Sequence, residues 1–248
     1  MQTSLLFSDQ PRPARQTKHL TIGCLIFEQQ DQIDFTGPFE VLSRIPDVTV
    51  QVIGKTKAPV RDVQGLILTP ETSISEVDSL DVLVVPGGRG QQALMEDREV
   101  LSLLRTQAES GRVLFSVCTG ALLCGAAGIL RGRMATTHWA AWDLLHFYGA
   151  IPCKARVVVD GNLITAAGVT AGLDGALVVA SLLRGDSVAE QIQLAIEYAP
   201  EPVFHSGTPD AATPEVLTSF LADYAAVKAS REAAARRFAE AAKPAQER

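Results

Sequence analysis

Cysteine is scarce in this chain of 248 residues: there are four, Cys24, Cys118, Cys124 and Cys153, and no two form a C-x-x-C pair. That argues against a zinc site and against a thioredoxin-type redox motif. So few in so long a chain also argue against a disulfide scaffold. Neither a metal nor an organic cofactor is expected. No apolar run reaches bilayer length, because Ser116, Thr119 and several glycines interrupt the stretch from Val113 to Leu130. Positive charge is not in excess either. The net charge of -6 repels phosphate, so neither nucleic acid nor an anionic membrane is an expected partner. The N-terminus lacks a secretory pattern, Leu5-Leu6-Phe7 being its only apolar cluster, and the cytoplasm is the expected location.

Hydrophobic residues make up 47% of the chain and charged residues 20%, enough to bury a large core. Residues 1–18 are polar with Pro11 and Pro13 and are expected to form a disordered tail. Short apolar runs predict core strands at Leu20–Phe27, Val48–Ile53, Val82–Val85 and Val113–Val117, with a small extra strand at Leu66–Leu68. Asp160-Gly161-Asn162 predicts a hairpin between Ala155 and Ala166. Helices are expected around Phe39 and Leu42, with Pro38 in the first turn, and from Asp97 to Ser110, closed by Gly111. Others are expected directly after Cys118, over Ala171–Leu183, over Val188–Tyr198 and over Pro214–Ala242. Strands alternating with helices predict an α/β fold whose mostly parallel sheet is covered on both faces. No repeat or linker divides the chain, so residues 19–242 read as one domain including a long C-terminal helix, with 243–248 as a tail.

The segment Ser116-Val117-Cys118-Thr119-Gly120 runs from a buried strand straight into a helix, with small residues on either side of the cysteine. A tight strand–turn–helix corner crowds its own backbone, which is why its flanks must be small, and it pushes the corner residue out of the sheet. The carboxyl edge of such a sheet is where ligands bind, and a helix N-terminus favours a thiolate. Cys118 is therefore a candidate nucleophile; the bland alternative is one more small buried cysteine. Cys24 and Cys124 fit that bland reading. Pro86-Gly87-Gly88 ends the neighbouring strand, and the amides of Gly87 and Gly88 either bind a developing anion or simply make a turn. Asp34 follows the first strand and either transfers protons near Cys118 or caps the next helix. Asp31 reads as a solvated loop residue.

Taken together, the elbow, the Pro86-Gly87-Gly88 turn and the order of elements resemble the ThiJ/PfpI superfamily. Its members share a flavodoxin-like three-layer sandwich with a nucleophile elbow. Five segments resemble its isocyanide (isonitrile) hydratase branch more specifically: Asp34-Phe35-Thr36-Gly37-Pro38, Val117-Cys118-Thr119-Gly120, Ala135-Thr136-Thr137-His138-Trp139, Gly168-Val169-Thr170-Ala171-Gly172-Leu173-Asp174 and Glu197-Tyr198-Ala199-Pro200. The resemblance implies a homodimer that hydrates R–N≡C to the N-substituted formamide. Cys118 would be the nucleophile and Asp34 the proton donor. Thr119, Gly87 and Gly88 would hold the intermediate, and Val169 and Thr170 would line the substrate pocket.

Protease-like members carry histidine after the cysteine, where this chain has Thr119, so peptidase activity is disfavoured. His138 reads as a structural hydrogen-bonding residue. Too little chain follows Pro202 for the helix-turn-helix domain of the related regulators. Lys228, Arg231, Arg236 and Arg237, mixed with Glu232 and Glu240, read as a solvated helix face. The alternatives are a glyoxalase-type activity on 2-oxoaldehydes, a sensor whose Cys118 is oxidised, and a binding domain without chemistry.

Overall fold

The computed structural model describes residues 3–241; the expected tail at 243–248 lies outside them. The first strands are β1 (Thr3–Phe7), β2 (Leu20–Leu25), β3 (Val48–Gly54), β4 (Val60–Arg61), β5 (Ile67–Leu68) and β6 (Thr72–Ser73). They continue as β7 (Val82–Val85), β8 (Val113–Val117), β9 (Met134–Ala135), β10 (Ile151–Pro152), β11 (Ala155–Asp160) and β12 (Leu163–Ala166). The helices are α1 (Gln32–Leu42), α2 (Arg98–Glu109), α3 (Gly120–Ala126), α4 (Ala171–Arg184), α5 (Asp186–Ala195) and α6 (Pro214–Ala241).

Eight strands form the central sheet in the order β1-β11-β12-β8-β7-β2-β3-β6, and every neighbouring pair is parallel except the β11–β12 hairpin. The strands alternate to feed two cores. Leu83, Val85 and Leu114 pack with α2, α3 and the 3-10 helix Trp139–Tyr148. Ile22, Val84, Phe115 and Val117 pack with residues of α1, α4 and α5 on the other face. Each fully buried large apolar side chain contributes about 1.5–3 kcal/mol, which is what holds the three layers together. The order of strands reverses direction between β2 and β7, the switch point where α/β sheets open a crevice at their carboxyl ends. The loops after β2, β7 and β8 all reach that crevice.

Three expectations are corrected. In its described part, the stretch expected as a disordered tail (residues 1–18) is not free: Thr3–Phe7 pairs parallel to β11, with Leu5 opposite Val157 and Phe7 opposite Val159. The hairpin leaves β11 with an open edge, and an apolar triplet covers it. Downstream, Gln16 N–H donates to the Leu183 carbonyl at 2.8 Å, and the Arg184 guanidinium donates to the carbonyls of Gln16 and Lys18. Pro38 lies in the interior of α1, not in its first turn, because the helix already begins at Gln32. The helix expected over Val188–Tyr198 is shifted toward the N-terminus; α5 ends at Ala195, and Glu197 adopts a left-handed conformation with φ of 50°.

Candidate active site

Cys118 sits at the elbow between β8 and α3 with φ of 56°, a left-handed conformation that an L-residue adopts at a cost of about 1–2 kcal/mol. Its backbone is held on both sides: Cys118 N–H donates to the Ala166 carbonyl at 3.1 Å, and the Cys118 carbonyl accepts from Thr137 Oγ1 at 2.7 Å. The corner is possible because Gly120 is bare. A Cβ there would lie 2.2 Å from the Val85 carbonyl oxygen, so no other residue lets α3 approach β7 so closely.

Asp34 is fully buried and lies inside α1, in its first turn. It does not cap the helix; Asp31 does, accepting from Ile33 N–H at 3.2 Å, so Asp31 is not a plain solvated loop residue. Asp34 Oδ2 accepts the Gly87 N–H at 2.9 Å, while Oδ1 is buried without a hydrogen-bond partner among the described residues. Burial, with the charge of Asp31 added, pushes this carboxyl up to about 8, against the opposing effects of the Gly87 amide, the Cys118 thiol and Arg231. Asp34 is therefore a neutral acid at physiological pH.

Cys118 is 6% exposed as a residue, and its thiol faces this carboxyl. Burial first, then the Asp34 charge, raises the thiol well above its usual value; the backbone N–H groups of Thr119 and Val169 and the Arg231 charge pull the other way. The expectation of a thiolate held ionised by a helix N-terminus is thus corrected. Loss of water outweighs the amides of a short helix, and the Asp34 charge adds to it.

Gly87 and Gly88 lie where expected but are otherwise engaged. The Gly87 amide serves Asp34, and the Gly88 amide donates to Thr119 Oγ1 at 3.1 Å. Neither is free for a developing anion. Gly87 instead permits contact: its Cβ would stand 2.5 Å from Thr119 N and 3.0 Å from Asp34 Oδ2. Thr119 offers its backbone N–H to the sulfur, its hydroxyl being taken by Gly88. Val169, half-buried, also directs its N–H at the sulfur. Thr170 is not part of this centre; it is exposed, and its hydroxyl accepts from Arg156 Nη2 at 3.2 Å. His138 caps the 3-10 helix, its Nδ1 accepting from Ala140 N–H at 3.2 Å, and burial lowers it to about 4. It is a neutral structural residue whose proton sits on Nε2.

In the sequence Arg231 reads as part of a solvated face, and the structure overturns this: it is 4% exposed and reaches the elbow from α6. The signal was its register. Arg231 falls on the stripe of Tyr224, Val227, Ala234 and Phe238, so a charge stands where the helix is otherwise apolar. A polar cavity of about 480 Å³ lies elsewhere, between Thr21, Gln51, Lys57 and Glu76, and holds none of these groups.

The DJ-1/PfpI family model matches residues 21–181. The chain belongs to the DJ-1/PfpI family. It is 51% identical to the isonitrile hydratase of Pseudomonas putida over 80% of this chain and 87% of that protein. The glutathione-independent glyoxalase DJR-1.2 of Caenorhabditis elegans is 28% identical over 64% of this chain and 85% of its own length. Among solved structures, a ThiJ/PfpI family protein from Pseudomonas syringae superposes with a TM-score of 0.82 at 36% identity, covering 88% of this chain and 90% of that one. The fold is the α/β sandwich of this family.

Proposed function

We propose that the chain is an isocyanide hydratase, a hydro-lyase that converts R–N≡C and water to R–NH–CHO, with Cys118 as nucleophile and Asp34 as its acid. The observation that carries the reaction type is the identity to isonitrile hydratase across most of both chains. The observation that supports the roles is a buried thiol facing a carboxylic acid that stays protonated near neutrality.

The terminal carbon of an isocyanide is both electrophilic and basic, and a thiol beside a neutral acid answers both properties. Asp34 gives its proton to that carbon while Cys118 Sγ bonds to it, and the carboxylate so formed takes the thiol proton. The product is a covalent thioimidate, R–N=CH–S–Cys118, with Asp34 an acid again. Asp34 then protonates the imidate nitrogen and removes a proton from the water that adds to carbon. Collapse of R–NH–CH(OH)–S–Cys118 forms the formyl C=O and breaks the C–S bond. The hydroxyl proton passes through Asp34 to the sulfur. The Thr119 and Val169 amides steady charge on sulfur as it attacks and leaves.

The reading includes a cytoplasmic homodimer, the assembly resting on family resemblance; no helix among the described residues is long and apolar enough to cross a membrane. Side-by-side assays test the activity. Formamide should appear from an aryl or alkyl isocyanide, with far slower loss of methylglyoxal. Turnover of methylglyoxal alone would assign the glyoxalase-type alternative instead.

A further inference from the structure

Arg231 is a buried cation for which the proposed reaction names no task. Its Nη2 donates to the Gly88 carbonyl at 2.5 Å and to Thr119 Oγ1 at 3.2 Å, and its Nη1 donates to the Tyr224 hydroxyl. Nε is buried without a partner, and no carboxylate forms an ion pair with the guanidinium among the described residues. A buried charge without a counter-ion is costly, and an apolar residue would pin α6 to the body with less loss. The groups it does bind are the residue after the nucleophile and the turn whose preceding amide holds Asp34. Residue 231 also lies outside the span that matches the family model.

We infer that Arg231 is a positioning residue for the Cys118 chemistry. Delivered by α6, it locks Thr119 and the Gly88 carbonyl in place, keeps the Thr119 N–H aimed at the sulfur, and supplies the positive charge that the ionising Cys118–Asp34 pair requires. The inference rests on the reading of Cys118 as nucleophile. The titratable groups that face the sulfur, Asp34 or Arg231 are Asp34 on α1 with Asp31 at its cap, His138 ahead of the 3-10 helix, and Tyr224 on α6, which Arg89 after β7 faces in turn. Burial raises Tyr224 and lowers His138, so both are neutral, which leaves Arg231 as the cation in contact with the elbow.

The test follows the rate of iodoacetamide alkylation at Cys118 against pH, read by peptide mass so that the other cysteines do not contribute. Arg231→Gln should move the midpoint upward by about 1 pH unit, the lower end of the effect of removing a nearby opposite charge. Arg231→Lys, which keeps the charge, should restore most of that shift. The same upward shift should persist in an Asp34→Asn background, where only the sulfur can report it. With isocyanide, Arg231→Gln should lower kcat with little change in KM. An unmoved midpoint in a folded Arg231→Gln protein, or a Lys variant as shifted as Gln, would reduce Arg231 to a structural peg. Because alkylation needs no isocyanide, a shifted midpoint in a protein that turns over no isocyanide would uphold the positioning role while the proposed reaction failed.

Discussion

Asp34 Oδ2 accepts the backbone N–H of Gly87 at 2.9 Å, so the carboxyl on α1 is fixed to the turn after β7 and faces the thiol that ends β8. The bond joins α1 to the turn after β7 at the sheet's switch point, beside the elbow after β8.

Asp34→Asn keeps the shape of the side chain and an acceptor for the Gly87 amide but removes the transferable proton. Isocyanide turnover should fall by about 10²–10⁴-fold, the usual contribution of a positioned general acid. Circular dichroism should remain that of the parent. Turnover within a few-fold of the parent would return Asp34 to a structural role.

The pH dependence follows from the sign of the same group. Asp34 is raised to about 8, so the acid form is lost as pH climbs through that value, and kcat/KM should decline on that limb. Stability has the same sign. A folded-state value above the unfolded one favours folding most fully below the unfolded value near 3.8, and the advantage disappears as pH rises through about 8. Asp34→Asn should therefore be the more stable protein at pH 8–9, by an amount on the order of a few kcal/mol, with its Tm less dependent on pH. Parallel Tm-versus-pH curves for the two proteins would contradict the buried-acid assignment.

Gly87→Ala would place a methyl 2.5 Å from Thr119 N and 2.6 Å from Thr119 Oγ1, against a backbone that cannot retreat. Overpacking of this kind costs about 1–3 kcal/mol. Urea titration should show that loss, and activity should drop further than stability because Asp34 and Thr119 are displaced together.

At Cys118 the usual order of alanine and glycine should invert. With φ of 56° at that residue, glycine fits where alanine is strained. Cys118→Gly should be more stable than Cys118→Ala by about 1 kcal/mol, measured by thermal or chemical unfolding. The opposite order would mean that the elbow relaxes once the sulfur is gone.

Much of this was legible in the sequence because the core elements obey local rules. The runs at 82–85 and 113–117 are strands, the hairpin turns at Gly161-Asn162, and Asp97 caps α2 by accepting from Glu99 and Val100. The elbow was legible because crowding demands Gly120. What escaped depends on distant partners. Nothing local in Leu5-Leu6-Phe7 says that β11 has an edge to cover. The roles of the Gly87 and Gly88 amides depend on acceptors supplied by Asp34 and Thr119, and burial of Arg231 depends on how α6 lands. The thiol's resting state escaped for the same reason. A helix N-terminus can be read from spacing, but the depth of burial that outweighs it cannot.

The proposed hydration turns on a carbon–sulfur bond at Cys118. Intact-mass spectrometry during turnover of a simple aryl isocyanide should find the protein heavier by one isocyanide, with the added mass on the peptide containing Cys118, and Cys118→Ala should neither gain that mass nor form formamide. Formamide produced at the parental rate by Cys118→Ala would contradict it.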